Sequence, residues 1–206
     1  VTNPFAVDDS SVPPVHVAAG KGPYQNTMDA LAAIDLSAAR GKRVLLKPNA
    51  GRVAAPNAGV TTHPEVVAAA IDAFVEAGAN VAIGESPIAG VKTMEAFEVG
   101  GIAEVARQRG TPLIDMDIRR YTEVDIPDGV AIQSLKLCAE VLEFDLVVSI
   151  PVMKTHMHTD VTLSVKNMKG CLWRRSKVEL HMLPPVEGHE DKSLNIAIAD
   201  MASVLR

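Results

Sequence analysis

Only two cysteines occur in the 206 residues, Cys138 and Cys171. They form neither a disulfide framework nor the Cys-x-x-Cys pair that begins a zinc or iron–sulfur site. The expectation is two packing thiols and no iron–sulfur cluster bound by the chain's own cysteines. Positive charge is not in excess either: a formal net charge of −5 argues against a nucleic-acid binder held by a strongly basic face. Long apolar runs are missing. The longest are of strand length, well short of the roughly 20 residues a membrane-spanning helix needs. There is no basic-then-apolar leader, internal repeat or low-complexity run, and no phosphate-loop glycine pattern or catalytic-triad signature. A soluble, cytoplasmic protein is the expectation. Export stays open, because the chain starts at Val1 without a methionine.

What is present is enough apolar residue, 48%, for one substantial core, so a single domain is expected over 15–206. Residues 1–14 carry three prolines and small polar residues and read as a flexible lead-in. Helix spacing runs from Asn26 to Arg40 before Gly41, and Arg43 to Lys47 then reads as a buried strand. A second helix, Pro64 to Ala77, leads to the strand Val81 to Ile83. A third lies within Thr93 to Arg109, interrupted at Gly100-Gly101 because each glycine costs roughly 1 kcal/mol in a helix. The strand Pro112 to Ile114, a hairpin excursion around Pro127-Asp128-Gly129, and a short helix near Leu135 to Leu142 precede the strand Asp145 to Ile150. Ser193 to Arg206 reads as a final helix without a glycine or proline exit, which suggests a chain truncated at its C-terminus. The alternation indicates a three-layer α/β fold: a mostly parallel sheet with helices on both faces and a small hairpin excursion.

Ligands of such sheets bind beyond the carboxyl ends of the strands. Three expected strands end in polar clusters: Lys47-Pro48-Asn49, Gly84-Glu85-Ser86, and Pro151 through Lys154, His156, His158 and Asp160. Lys47 after a buried strand either binds an anion or pairs with Glu85, and Lys154 carries the same ambiguity. Thr62-His63-Pro64-Glu65 fits a helix start with Thr62 as N-cap and Glu65 as its capping-box partner. His63 would then sit at the positive end of a helix, which favours a neutral imidazole suited to base chemistry. His156 and His158, two apart, share one face if the backbone is extended, and with Asp160 they form a candidate set of divalent-metal ligands. Lys166, Asn167 and Lys169 crowd before Gly170, and Arg174, Arg175 and Lys177 follow. This is basic density that suits a carboxylate or phosphate, or else a solvated loop. His181 and His189 lie in a loop placed to close over such a site.

Taken in order and spacing, Lys47-Pro48-Asn49, Thr62-His63-Pro64-Glu65, Gly84-Glu85-Ser86, Lys154-x-His156 and the run Thr162 to Gly170 resemble the domain of unknown function 362 family, from about Val44 to Arg206. The resemblance implies a bacterial or archaeal protein, often joined to ferredoxin-like iron–sulfur modules, with no established reaction. The chain departs from that pattern in lacking a cysteine run and the glycine-rich portion such members carry after the last helix here. The leading expectation is an enzyme acting on a small anionic metabolite. In it Lys47, Asn49, Glu85, Ser86, Lys154, Lys166 and Asn167 bind the substrate, and His63 and His156 handle protons. The alternatives are a non-catalytic ligand-binding module, or one that docks with an iron–sulfur redox protein, and, third, a metal-dependent hydrolase or lyase built on His156, His158 and Asp160.

Overall fold

The computed structural model describes residues 15–118 and 120–205, so the lead-in expected over residues 1–14 lies outside them. The first elements are α1 (Pro23–Leu31), β1 (Arg43–Pro48), α2 (Pro64–Glu76) and β2 (Asn80–Glu85). Then come α3 (Thr93–Val99), α4 (Ile102–Arg109) and β3 (Leu113–Asp115), followed by the strands β4 (Tyr121–Asp125) and β5 (Ser134–Cys138). After β6 (Leu146–Ile150), the short strands β7 (Lys154–His156) and β8 (Asp160–Thr162) precede α5 (Ser164–Asn167), α6 (Ser176–Glu179) and α7 (Ser193–Ala202).

β1, β2, β3 and β6 form one parallel sheet in the order β3-β2-β1-β6. β1 is central because it has no polar side to show: Val44, Leu45 and Leu46 are all fully buried. Its two-residue alternation divides the core. Val44 and Leu46 pack with Val67, Ile71 and Phe74 of α2 and with Phe97, Ile102 and Ala106 of α3 and α4. Leu45 packs on the opposite face with Met116, Leu135 and Leu137, and with Leu194, Ile198 and Met201 of α7. Helices therefore cover both faces, as the alternation of elements predicts. The break at Gly100-Gly101 also forms: Gly101 starts α4 at φ 76°, a left-handed conformation that glycine adopts without steric cost. No helix among the described residues is long and apolar enough to cross a membrane.

Three local expectations are corrected. The helix expected over Leu135 to Leu142 is instead strand β5, paired antiparallel with β4 across the expected turn, followed by a 3-10 turn at Ala139–Glu143. Leu135 and Leu137 are buried while Ser134 is exposed, so the period is two, and a run this short is decided by its cross-strand partner. The helix expected from Asn26 to Arg40 stops at Leu31. Asp35 Oδ1 accepts the Ser37 backbone N–H at 2.9 Å, a local turn that competes with helix continuation. The last helix ends at Ala202 rather than running to the terminus.

From β1 the chain builds outward through β2 to β3, then returns to place β6 on β1's other side. The order reverses between β1 and β6, and the crevice beyond their carboxyl ends is where such a sheet opens a ligand site. Thr62 ties this point together: its Oγ accepts the Asn49 N–H at 2.8 Å and donates to the Ile150 carbonyl at 2.6 Å.

Candidate functional site

The floor of the site begins with Lys47, which follows Leu46 in β1 and so shares the face of Leu45. It is 0% exposed. Its Nζ donates to Glu85 Oε2 at 2.7 Å, to the Pro48 carbonyl at 2.9 Å and to Asn167 Oδ1 at 3.3 Å. Asn167 Nδ2 returns hydrogen bonds of 3.0 Å each to the Lys47 carbonyl and Ser149 Oγ, which stitches α5 across β1 and β6. The Glu85 carboxylate also accepts the backbone N–H of Ala50 at 3.0 Å and of Ser86 at 2.9 Å. Burial raises its pKa, opposed by the Lys47 ammonium and by these two donors. Gly170 lies directly on the pair, and its carbonyl accepts the Ser86 N–H at 3.0 Å.

Above this floor opens a cavity of about 340 Å³. Asn49, Glu85, Ser86 and Asn167 line its base, and His156, Lys166, Lys169 and His181 line its walls with Thr162 and Lys177. Two of the cations near it are internally matched. Lys47 has Glu85, and Lys177 contacts Ser86 Oγ and donates to Asp117 Oδ1 at 3.2 Å, while Ser86 Oγ donates to the same oxygen at 2.6 Å.

The remaining cations are not matched. Among the described residues, neither Lys166 nor Lys169 forms an ion pair with a carboxylate. Burial first, then Lys166 and Lys177, lowers the Lys169 pKa to about 8. Burial and Lys154 lower that of Lys166. His156 falls to about 4 through burial, then Lys166 and the neighbouring histidine and lysines. His181 falls to about 4 through burial and then Lys169, whose Nζ lies 2.8 Å from its Nε2. Thr162, at 1% exposure, has an Oγ1 without a hydrogen-bond partner among the described residues. A buried hydroxyl left unpaired costs about 1–3 kcal/mol, and here it belongs to a residue that lines a cavity whose uncompensated charge is positive.

The two histidines give the protein a pH signature. Their folded pKa values lie below the ordinary 6.5, so on acidification the unfolded chain takes up these protons first. Their contribution to stability is complete above about pH 6.5 and is lost as pH falls through about 4. Unfolding temperatures measured between pH 7 and 4.5 are expected to fall, and to fall less steeply in Lys169→Met, which lacks a cation facing His181.

Of the residues singled out from sequence, Asn49, Glu85, Ser86, His156, Lys166 and Asn167 converge on the cavity, and Lys47 lies under its floor. Lys154 does not line it; its Nζ donates to the Val60 carbonyl. His63, not Thr62, is the N-cap of α2: its Nδ1 accepts the Glu65 N–H at 3.2 Å, which engages it outside the cavity lining. His156, His158 and Asp160 lie around one hairpin, with the His156 and His158 ring centroids 5.8 Å apart. The chain turns between β7 and β8, His156 pairs across the hairpin with Asp160, and His158 sits at the tip. The Asp160 side chain is 84% exposed and lies 3.7 Å from Lys192, and among the described residues no three His, Cys, Asp or Glu side chains gather as a metal would need. Asp117, the partner of Lys177 and Ser86, gave no signal in the sequence, because nothing local marks a residue recruited from beyond β3.

A family model described as Domain of unknown function (DUF362) matches residues 44–206. The Thylakoid-associated protein sll1697 of Synechocystis sp. is 33% identical over 142 residues, 69% of this chain and 43% of the relative. The chain thus spans less than half the length of that relative. No solved structure matches the chain.

Proposed function

Since the chain belongs to the domain of unknown function 362 family, whose description carries no reaction, we propose from its geometry that it is an enzyme acting on a small anionic metabolite held beyond the carboxyl ends of β1 and β2. The observation that carries this reading is the convergence of Lys166, Lys169 and Thr162, whose hydroxyl is unpartnered among the described residues, on one cavity, with no carboxylate of the described residues paired to either amine. A carboxylate or phosphate supplies both the missing charge and the missing acceptor. His156 and His181, held neutral at physiological pH, are the groups placed to take a proton from it. The Lys47–Glu85 pair belongs to the floor: it holds Ala50, Ser86 and Asn167 in place and leaves Lys166 and Lys169 to meet the ligand.

The test is a thermal-shift series with phosphate and short mono- and dicarboxylates on the protein and on Lys166→Met. A ligand at about 100 times its dissociation constant stabilises by about 2.7 kcal/mol. Lys166→Met is expected to abolish that shift, and to raise the unfolding temperature of the ligand-free protein, because an unmatched half-buried ammonium is gone. An anion-induced shift unchanged in Lys166→Met would place the binding elsewhere.

A further inference from the structure

The cavity holds more amine than an anion needs. Lys166 alone, with the Thr162 hydroxyl, can hold a small carboxylate, and a second fully charged lysine beside it would only deepen the repulsion. Lys169 is placed differently. It lines the cavity wall next to Gly170, flanked in sequence and space by Lys166 and by Lys177, and its Nζ touches an imidazole nitrogen, His181 Nε2, at 2.8 Å. An amine partly buried among other cations and hydrogen-bonded to an uncharged base is set up as a nucleophile rather than as a counter-charge.

We propose that Lys169 condenses with the carbonyl group of an oxo acid, forming an imine at its Nζ while Lys166 and Thr162 hold the acid's carboxylate. This rests on the anion-binding reading above and names the substrate class. The Lys169 nitrogen lone pair attacks the carbonyl carbon, and the C–N bond forms as the carbonyl oxygen takes up a proton. His181 Nε2 relays the first proton of the attacking amine to that oxygen, giving the carbinolamine, and then accepts the second proton from its nitrogen. It returns that proton to the hydroxyl of the carbinolamine, which leaves as water as the C=N bond forms. Amine and carbonyl are consumed, imine and one water are produced, and nothing is oxidised or reduced. The carbon next to the imine is then acidified, and His156 on the same cavity wall is the neutral base available to it. The burial and neighbouring charge that bring the Lys169 pKa to about 8 support this role, since a sizeable fraction of the amine is free near neutral pH.

The probe is glyoxylate, the smallest aldehyde acid, with cyanoborohydride to fix any imine, followed by peptide mapping of the whole chain. Lys42 and Lys192, both exposed, serve as internal references. Near pH 7.5, Lys169 is expected to label about tenfold or more faster than these, because burial, neighbouring cations and the contact with His181 leave more of its amine free. Acetate, which has no aldehyde, should compete, and Lys166→Met should slow labelling of an otherwise intact Lys169. Lys169→Arg should keep the anion-induced thermal shift and lose the fast label. Labelling of Lys169 no faster than Lys42 and Lys192 overturns the imine. If acetate and phosphate still stabilise the protein in that case, the anion site stands without it. Fast labelling of Lys169 without any anion-induced shift would instead uphold the amine and sink the anion reading.

Discussion

Gly170→Ala is expected to destabilise the protein by about 3–5 kcal/mol, the cost of breaking a buried ion pair. For a chain of this size that is a fall of about 6–20 °C in unfolding temperature. The backbone there does not require glycine, since Gly170 is not among the positive-φ glycines. The requirement is space. A Cβ at this position would lie 1.9 Å from Glu85 Oε1, 2.4 Å from Lys47 Cε and 2.6 Å from Lys47 Nζ. Those atoms are not loose side-chain ends that can swing aside: the carboxylate is held by Ala50, Ser86 and Lys47, and the ammonium by Glu85, Pro48 and Asn167. Gly51 is the control. It also lines the cavity, but a Cβ there meets only Ile88 Cγ2, at 3.9 Å. Gly51→Ala should stay within about 0.5 kcal/mol of the parent in the same denaturation experiment. Equal stability of the two variants would mean that Gly170 does not seat on the pair.

The second large effect is expected at Lys47. Lys47→Met keeps most of the volume but leaves the Glu85 carboxylate buried with two backbone donors and no counter-charge, a loss of about 3–5 kcal/mol. Adding Glu85→Gln removes the stranded charge while keeping an amide oxygen for those donors, so the double variant should regain at least half of the loss. Replacing both members of a buried pair is often close to neutral. A pH series separates this from simple misfolding. Burial already raises the Glu85 pKa, and loss of Lys47 raises it further. A carboxyl whose folded pKa exceeds its unfolded value contributes stability at low pH that is lost as pH rises through the folded value. The deficit of Lys47→Met should therefore shrink on acidification, and the double variant should not show this. A deficit in Lys47→Met that is flat with pH, or a double variant worse than the single, would contradict the pairing.

Much of this site was legible before any tertiary contact was known, because a parallel sheet places all its strand carboxyl ends on one edge. Reading Lys47-Pro48-Asn49 and Gly84-Glu85-Ser86 as the ends of two parallel neighbours is enough to bring Asn49, Glu85 and Ser86 to one cavity. The run ending in Gly170 stood out by its basic density, and it supplies Lys166, Asn167 and Lys169. Least legible was whatever depended on the direction of a short segment. His156, His158 and Asp160 read as neighbours on an extended backbone; they lie instead around the turn between β7 and β8, with the two ring centroids 5.8 Å apart and the Asp160 side chain exposed beside Lys192. His63 and Thr62 are adjacent at a helix start, and which of them caps α2 turns on Thr62 being drawn instead to Asn49 and Ile150 across two strands.

The order of apolar runs and glycine or proline stops determined by itself that β1, β2 and β3 alternate with helices, and hence which edge of the sheet bears chemistry. That information is local, carried by periodicity and by residues that cannot continue a helix. Only the tertiary structure decided what each charge there does. Lys47 and Lys166 are both lysines in polar motifs. One is sealed under Gly170 against Glu85 and the other faces the cavity unmatched. The difference is the partners brought to Lys47 from 38 and 120 residues away along the chain, and the strength of a charge interaction is set by distance and burial, which a sequence does not contain.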